Sequence, residues 1–474
     1  MKYFITTPIF YANAEPHIAH AYTAVIADVL ARFHRQQKDD VFFLAGMDEH
    51  GNKVFKKAEE AGKTPQDFCD EIAEKFEQTW KNLDISYDKF IRTTSEEHKK
   101  GAQFILNKLY AKKDIYQKDY TGLYCEGCEK FITKKELVNG ECPDHKKKPI
   151  VVKEKNYFFK LASYLPEIKR KIETGELLIK PEKRKNEVLK MLEQKQEDIS
   201  VSRESVKWGI DVPFDKKQTI YVWVEALTNY ITALGYGEKG EKAELFQRYW
   251  PADLHLVGKD IIKFHTIHWP AMLLALGLPL PKQIYAHGFI TVSGEKMSKT
   301  IGNVISPNDL VKRWGSDAVR YLLLSQFPLG EDGDVSLKKM QARYEADLAN
   351  DLGNLLQRTL VMMKKYEVEP AVDNPADTFD FNENKFTEHL NKLEITEALA
   401  MIRQIITDGN KYIEEKKPWE LAKDNLKECR RILEDLHFRL KLVGSLIQPF
   451  MPRVSQEMLK QLKTMDPEPM FKKG

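Results

Sequence analysis

Residues 2–33, KYFITTPIFYANAEPHIAHAYTAVIADVLARF, change periodicity within one stretch. The first five, KYFIT, alternate as a buried strand does. After a loop containing Pro8 and Pro16, the apolar residues Ile18, Tyr22, Val25, Ile26, Val29, Leu30 and Phe33 recur at helical spacing. Pro16 sits where a first-turn proline is tolerated. Next, VFFLAGMDEHG (41–51) is an apolar strand ending in a polar loop, and KVFKKAEEAG (53–62) is helical. Strand, helix, strand, helix predicts a parallel sheet with helices on its faces.

The alternation resumes in TIYVWVEAL (219–227), DLHLVGKDIIKFHTIHWPAMLLAL (253–276) and QIYAHGFITVSGEKMSKT (283–300). Residues 113–218, which carry a cysteine cluster, read as an insertion. From about residue 340 strands give way to long helical patterns, interrupted by an acidic, proline-containing link at 368–384. The expected architecture is α/β. A Rossmann-like parallel-sheet domain is split into 1–112 and 219–290 around the insertion. A lysine-bearing segment (291–342) and an all-α bundle (343–474) follow.

A length of 474 residues, 42% hydrophobic and 31% charged, describes a globular chain of two to four domains. The longest apolar run, WPAMLLALGLPLP, is short and broken by prolines, and the N-terminus lacks a signal peptide's apolar core. The expectation is a cytoplasmic protein with no membrane segment. A net charge of +3 leaves nucleic-acid binding to local patches such as KKKP (146–149) and KPEKRK (180–185), each also readable as a solvated face.

Cys125, Cys128, Cys142 and His145 have the spacing C-x2-C-x13-C-x2-H, that of a closed, structural zinc site. Cys69 and Cys429 read as core residues. GYGEKG (235–240) matches a dinucleotide fingerprint in letters only, because no strand precedes it. A Walker A loop is absent. Phosphates, if bound, need another holder. His17 and His20 begin a helix, where free amides and the dipole favour an anion. GEKMSKT (294–300) adds Lys296 and Lys299 on a loop, suited to charge accumulating on a leaving pyrophosphate. Alone, the paired histidines read more often as core or surface residues, with half a metal site as a further alternative.

PHIAH (16–20) and KMSKT (296–300) resemble the two signatures of class I aminoacyl-tRNA synthetases. TTPIFYANAEPHIAHAYT (6–23), DEHG (48–51), GLYCEGCEKF (122–131), YVWVEALTNY (221–230), GKDIIKFHTIHWPAML (258–273) and EKKPWELA (415–422) are similar, in order, to bacterial methionyl-tRNA synthetases. That resemblance implies ATP-dependent attachment of L-methionine to a tRNA with a CAU anticodon, assisted by Mg2+. His17 and His20 would contact the triphosphate, and Lys296 and Lys299 would stabilise the transition state. It further implies a methionine pocket of Ile9, Tyr11, Trp223, Ala226, Tyr230, Ile261, His265 and Trp269, with Asp48 pairing the ammonium group. Asn354, Arg358 and Trp419 would read the anticodon.

Three departures stand out. Ala19 replaces the usual glycine of the first signature. Glu225 occupies a position where relatives often carry aspartate. The chain stops without the appended oligonucleotide-binding barrel through which many relatives dimerise, so a monomer is expected. A class I synthetase for another amino acid is the rival enzyme, although the editing insertion of the branched-chain enzymes has no room here. A non-catalytic tRNA-binding paralogue is the rival outside catalysis; the presence of His20, Asp48 and Lys299 argues against it.

Overall fold

The computed structural model describes residues 1–127, 129–132, 134–143, 146–292, 294–296, 303–370 and 381–471, apart from the side chains of Lys130, Lys135, Lys242, Glu295 and Lys296. Cys128, His145 and Lys299, and the side chain of Lys296, therefore lie outside the described residues. Two compact units result: Met1–Pro16, Lys38–Thr79 and Ser86–His287 form the first, and His17–Gln37, Trp80–Ile85 and Gly288–Gly474 the second.

The first unit is built on seven parallel strands: β1 (Lys2–Thr6), β2 (Phe10–Tyr11), β3 (Asp40–Asp48), β4 (Lys89–Arg92), β5 (Leu178–Lys180), β6 (Leu254–Gly258) and β7 (Gln283–His287). Across the sheet the order runs β3, β1, β6, β7, β5, with β2 and β4 also paired to β3. Strands covered on both faces read as unbroken apolar runs, which is why β1 and β3 are visible in the sequence. Phe4, Ile5, Phe43 and Leu44 are buried, in a sheet whose core continues through Leu109, Ile168, Ile231 and Leu273 of flanking helices. β1 lies between β3 and β6, so chain order reverses beside it. The crevice outside the carboxyl ends of strands at such a reversal is where open α/β sheets bind ligands.

Two strands fall where periodicity does not place them. β5 comes from the middle of residues 113–218, and Leu178 pairs with Gln283 and Lys180 with Tyr285. Three residues with both ends exposed leave no alternation to read. The strand before VWVEAL, Asp215–Ile220, joins Ser202–Arg203 and Asp211–Val212 in an antiparallel sheet rather than entering the parallel one. Its first half, DKK, is charged and exposes both lysines, which a central parallel strand excludes. Besides the helices Leu165–Glu173 and Glu182–Glu193, the inserted segment also holds a four-stranded antiparallel sheet of Ile115–Cys125, Lys130–Ile132, Ile150–Phe159 and Ile199–Ser200. Beneath it the Arg203 guanidinium pairs with Glu154 at 2.8 Å and lies over the rings of Tyr124 and Phe131.

In the second unit the described residues from Leu337 onward contain helices and no strand, as expected of the C-terminal bundle; the longest are Ile395–Lys416 and Leu426–Leu446. Among the described residues no helix is long and apolar enough to cross a membrane. Arg320, on helix Ser316–Leu324, is wholly buried and pairs with the equally buried Asp28 of helix Ile18–Gln36 at 2.7 Å. Its other protons go to the carbonyls of Leu83 (3.2 Å), Pro449 (2.9 Å) and Phe450 (2.8 Å). One guanidinium thus gathers four separate stretches of the unit.

Removing one partner of such a pair strands a buried charge, at a cost of about 3–5 kcal/mol. Asp28→Asn is expected to lower urea stability by roughly that amount. Asp28→Asn combined with Arg320→Met should lose less than the sum of the two single changes, which a double-mutant cycle measures directly.

Candidate active site

The site in the first unit assembles at the carboxyl ends of β1, β3 and β6. Ile9 follows β1. It fits against β3 because position 46 is glycine: a Cβ there would lie 2.9 Å from the Ile9 side chain and clash with the carbonyl of Ile91. Tyr11 pairs with Asp48 in the sheet, and its hydroxyl donates to the carbonyl of His50 at 3.1 Å. Gly51 completes this corner with a φ of +109°, a conformation that strongly favours glycine. A Cβ at that position would sit 2.6 Å from the Tyr11 hydroxyl and 2.6 Å from a Glu129 carboxylate oxygen.

Trp223, Ala226 and Tyr230 share one face of helix Val222–Thr232 by their spacing. Beyond β6 the chain passes a short turn containing Ile261 and then a π-helical turn, Phe264–His268, before helix Trp269–Leu276. The wider turn is a frequent device at functional sites. Phe264 stacks on Trp223, with centroids 3.8 Å apart and planes 6° from parallel. His265 donates from Nδ1 to the carbonyl of Ile261 at 3.0 Å, which leaves Nε2 to accept the Tyr230 hydroxyl proton at 2.8 Å. Burial holds the His265 imidazole down at about 4, so the ring is neutral at physiological pH. Trp269 is fully buried behind Tyr230 and donates its indole proton to His255 Nε2 at 3.3 Å, while His255 Nδ1 meets the Thr6 hydroxyl at 2.8 Å. The result is an apolar, aromatic wall whose few polar atoms are mutually satisfied.

Besides Glu129, whose Oε1 accepts from the Lys53 N–H at 2.7 Å, the buried carboxyl groups Glu49, Glu225 and Asp48 stand beside this wall, and each of these three is handled differently. Glu49 accepts from Arg92 Nε at 2.7 Å and from the Thr94 hydroxyl. Glu225, 1% exposed, accepts from His50 Nδ1 at 3.0 Å and from His98 Nε2 at 2.7 Å; His98 Nδ1 in turn meets the Thr232 hydroxyl at 2.8 Å. Burial alone would raise the Glu225 carboxyl, yet His50 and His98 hold it below its ordinary value. Asp48 has no such help. Its Oδ1 is buried without a hydrogen-bond partner among the described residues. Burial, and then the charge of Glu225, push its carboxyl well above the usual range, against a smaller opposing effect from the His50 N–H.

His17 and His20 belong to the second unit. His17 is the N-cap of helix Ile18–Gln36, and the two rings stack 3.7 Å apart. The His17 backbone N–H donates to His20 Nδ1 at 3.3 Å, which fixes the His20 proton on Nε2. Burial, with His17 adding to it, keeps His20 well below the ordinary imidazole value and so neutral. In the bundle, the Arg358 guanidinium lies 5.4 Å from the Trp419 ring centroid and pairs with Glu414 at 2.5 Å; Asn354 begins the same helix one turn earlier. Cys125 and Cys142 share a small buried cluster with Ile132. Among the described residues no three potential metal ligands converge.

His50, His98, Glu129, Trp208 and His255 carry contacts of the site although the sequence assigns them no role; the Trp208 indole, for one, donates to the Glu49 carbonyl at 2.6 Å. His50 stood inside DEHG without an assignment. His98 and His255 offered no signal, being single histidines in ordinary helix and strand text. The spacing of His265 and His268 is that of a metal pair, but no third ligand accompanies it in the sequence, which leaves His265 to the pocket and His268 without a role; His265 supports a tyrosine, and His268 sets its ring edge-on to Phe264 at 5.1 Å.

Comparison with known proteins bears directly on this arrangement. A family model described as tRNA synthetases class I (M) matches residues 3–148 and 135–360, and one described as the anticodon binding domain of methionyl tRNA ligase matches residues 376–472. The methionine–tRNA ligase of Caldanaerobacter subterraneus subsp. tengcongensis is 46% identical over 472 residues, 97% of this chain and 74% of its own. That of Thermotoga maritima is 44% identical over 476 residues, 98% of this chain and 75% of its own. Among solved structures, Mycobacterium tuberculosis methionyl-tRNA synthetase in complex with methionyl-adenylate superposes with a TM-score of 0.90 at 36% identity, covering 99% of this chain and 97% of that one. The apo form of the same synthetase gives 0.81 at 34% identity, covering 97% of this chain and 91% of its own. The sequence signatures, the sheet with its aromatic site and the full-length similarity converge: this chain belongs to the methionyl-tRNA synthetases of class I.

Proposed function

We propose that this chain activates L-methionine with ATP and transfers it to a tRNA bearing a CAU anticodon. One observation carries the reading of the site: an apolar, aromatic wall with satisfied polar groups stands beside the buried carboxyl of Asp48, whose Oδ1 has no hydrogen-bond partner among the described residues. An unbranched thioether needs the first, and an α-ammonium group needs the second. The neutral Tyr230–His265 pair presents no charge to the sulfur, and Trp223, stacked on Phe264, supplies a flat face. Ile9, Tyr11, Ala226 and Ile261 complete the pocket, with Trp269 fixing Tyr230 from behind.

In the first step a methionine carboxylate oxygen bonds to the α-phosphorus of ATP, and the bond from that phosphorus to pyrophosphate breaks. In the second, a terminal ribose hydroxyl of tRNA attacks the acyl carbon; AMP leaves with the bonding pair, and the hydroxyl proton is released. No covalent enzyme intermediate is needed, so positioning and electrostatics carry the catalysis. The neutral His20 offers Nε2–H to a phosphate oxygen, and His17 sits beside it at the helix N-terminus, where anions are favoured. Lys296 and Lys299 neutralise charge on the departing pyrophosphate, and Mg2+ bound with ATP would supply further neutralisation there. The soft donors Cys125 and Cys142, buried together, fit half of a structural zinc site that Cys128 and His145 would complete. Arg358 over Trp419 forms a platform on which an unpaired anticodon base can stack, with Asn354 free to meet base edges.

ATP–pyrophosphate exchange tests the assignment. Methionine should drive exchange, and leucine, isoleucine, valine and cysteine should not; strong exchange with leucine alone would refute it. Lys299→Ala is expected to abolish exchange while tRNA binding, measured by filter retention, persists.

Asp48→Asn should also abolish exchange. Because Asp48 is protonated more readily in the fold than in the open chain, it lowers stability as pH rises through the range where it loses that proton. Asp48→Asn is therefore expected to raise the melting temperature of the free protein at neutral pH. In the wild type, affinity for methionine should increase as pH rises through the same range.

Trp419→Ala should lower kcat/KM for tRNA by about 10- to 100-fold, on the scale of losing one stacked base with its neighbours, and leave exchange unchanged.

A further inference from the structure

We propose that Glu225 is a positioning residue for the substrate's ammonium group, a second buried anion that acts through Asp48 without touching the substrate. The inference rests on the reading of Asp48 as the ammonium partner, and the test below separates the two.

The case begins with what it takes to keep Glu225 charged. Both of its oxygens are withdrawn from water, and each has been given a donor from a different element. His50 lies just beyond β3, and His98 sits on helix Glu96–Ala111, where it is oriented by Thr232 at the end of Glu225's own helix. A buried carboxylate needs such an arrangement to stay ionised. Packing alone would not call for it, because Leu227 and Ile231 already bury this helix in the core.

The neighbouring charges make the arrangement directional. Of the three carboxyls, only Glu49 has a permanent cation, Arg92. Glu225 has imidazoles, and Asp48 has one open oxygen. His50, two residues after Asp48, reaches Glu225 with its Nδ1 at 3.0 Å, which brings the two carboxyls to the same corner, and the charge of Glu225 adds to burial in disfavouring an ionised Asp48. A cation placed against Asp48 relieves that repulsion and gains attraction from both anions. Preference for an ammonium-bearing ligand is thus partly stored in Glu225.

Glu225→Gln removes the charge and can keep the hydrogen bonds. The amide oxygen accepts from one histidine, while its NH2 donates to the other once that ring shifts its proton; His98 can do so by donating Nδ1–H to Thr232. Three ligands separate charge from shape: methionine, methioninol (ammonium without carboxylate) and 4-(methylthio)butanoate (carboxylate without ammonium). By calorimetry, Glu225→Gln is expected to weaken methionine and methioninol about tenfold, the scale of one unit charge acting across a buried site, and to leave 4-(methylthio)butanoate within about twofold. Unchanged methioninol affinity, or equal weakening of all three ligands, would overturn the proposal.

Asp48→Asn is the second arm. If it retains methioninol affinity, the role given to Asp48 fails. If it loses that affinity while Glu225→Gln does not, only the role of Glu225 fails. Should Glu225→Gln not fold, Glu225→Asp and Glu225→Asn read the same ratio of methioninol to 4-(methylthio)butanoate affinity. That ratio stays near wild type for Asp and falls about tenfold for Asn; equal ratios overturn the proposal.

Discussion

Withdrawing a carboxyl group from water costs several kcal/mol unless donors or a cation replace the lost hydration. This fold does so repeatedly around the end of β3, and the unequal treatment of Glu49, Glu225 and Asp48 organises the site. Glu49 is given an arginine and becomes structural. Glu225 is given two imidazoles and stays anionic. Asp48 is left incomplete, and the aromatic wall beside it closes off alternatives from solvent. Everything around them serves this division: Gly46 and Gly51 let backbone and side chains approach, and the π-helical turn carries His265 to Tyr230. An incomplete buried carboxyl destabilises the free protein, the usual trade of stability for binding.

Parts of this were legible in the sequence for clear physical reasons. β1 and β3 are covered on both faces and read as apolar runs, and helix Ile18–Gln36 carries an unambiguous helical period. The aromatic residues beside Asp48 became pocket candidates through family resemblance, since composition and periodicity alone would have put Trp223 and Trp269 in the core. Trp269 is in fact fully buried, acting on the site through Tyr230 and His255. The histidines that support Glu225 could not be read at all. His50, His98 and Glu225 are separated by 127 to 175 residues along the chain from their partners, and only the tertiary fold brings them together. β5 escaped for a different reason: three residues are too few for any period.

The second unit uses charge in another way. Arg320 satisfies four acceptors from stretches that are distant in the chain, and its ion pair with Asp28 holds parts of the unit in one arrangement. At Arg358 the guanidinium is left partly exposed over an indole, with a glutamate as its fellow. The first arginine is shut away and immovable; the second keeps a face that a flat, electron-rich partner could share. Two arginines in one unit thus differ in burial, one enclosed among its acceptors and the other partly exposed.

The pairing of β1 with β6 has a consequence for how the protein comes into being. Ile5 lies opposite Leu254, and the Phe4 N–H donates to the Asp253 carboxylate 249 residues further on. Synthesis proceeds at roughly 5–20 residues per second, so one edge of the first strand waits on the order of 12 to 50 seconds for its neighbour to emerge. During that time an apolar strand made well ahead of its neighbour has an open ladder along one side, a template for wrong partners. The central seam of the sheet, on whose carboxyl ends the site is built, is among its last parts to close.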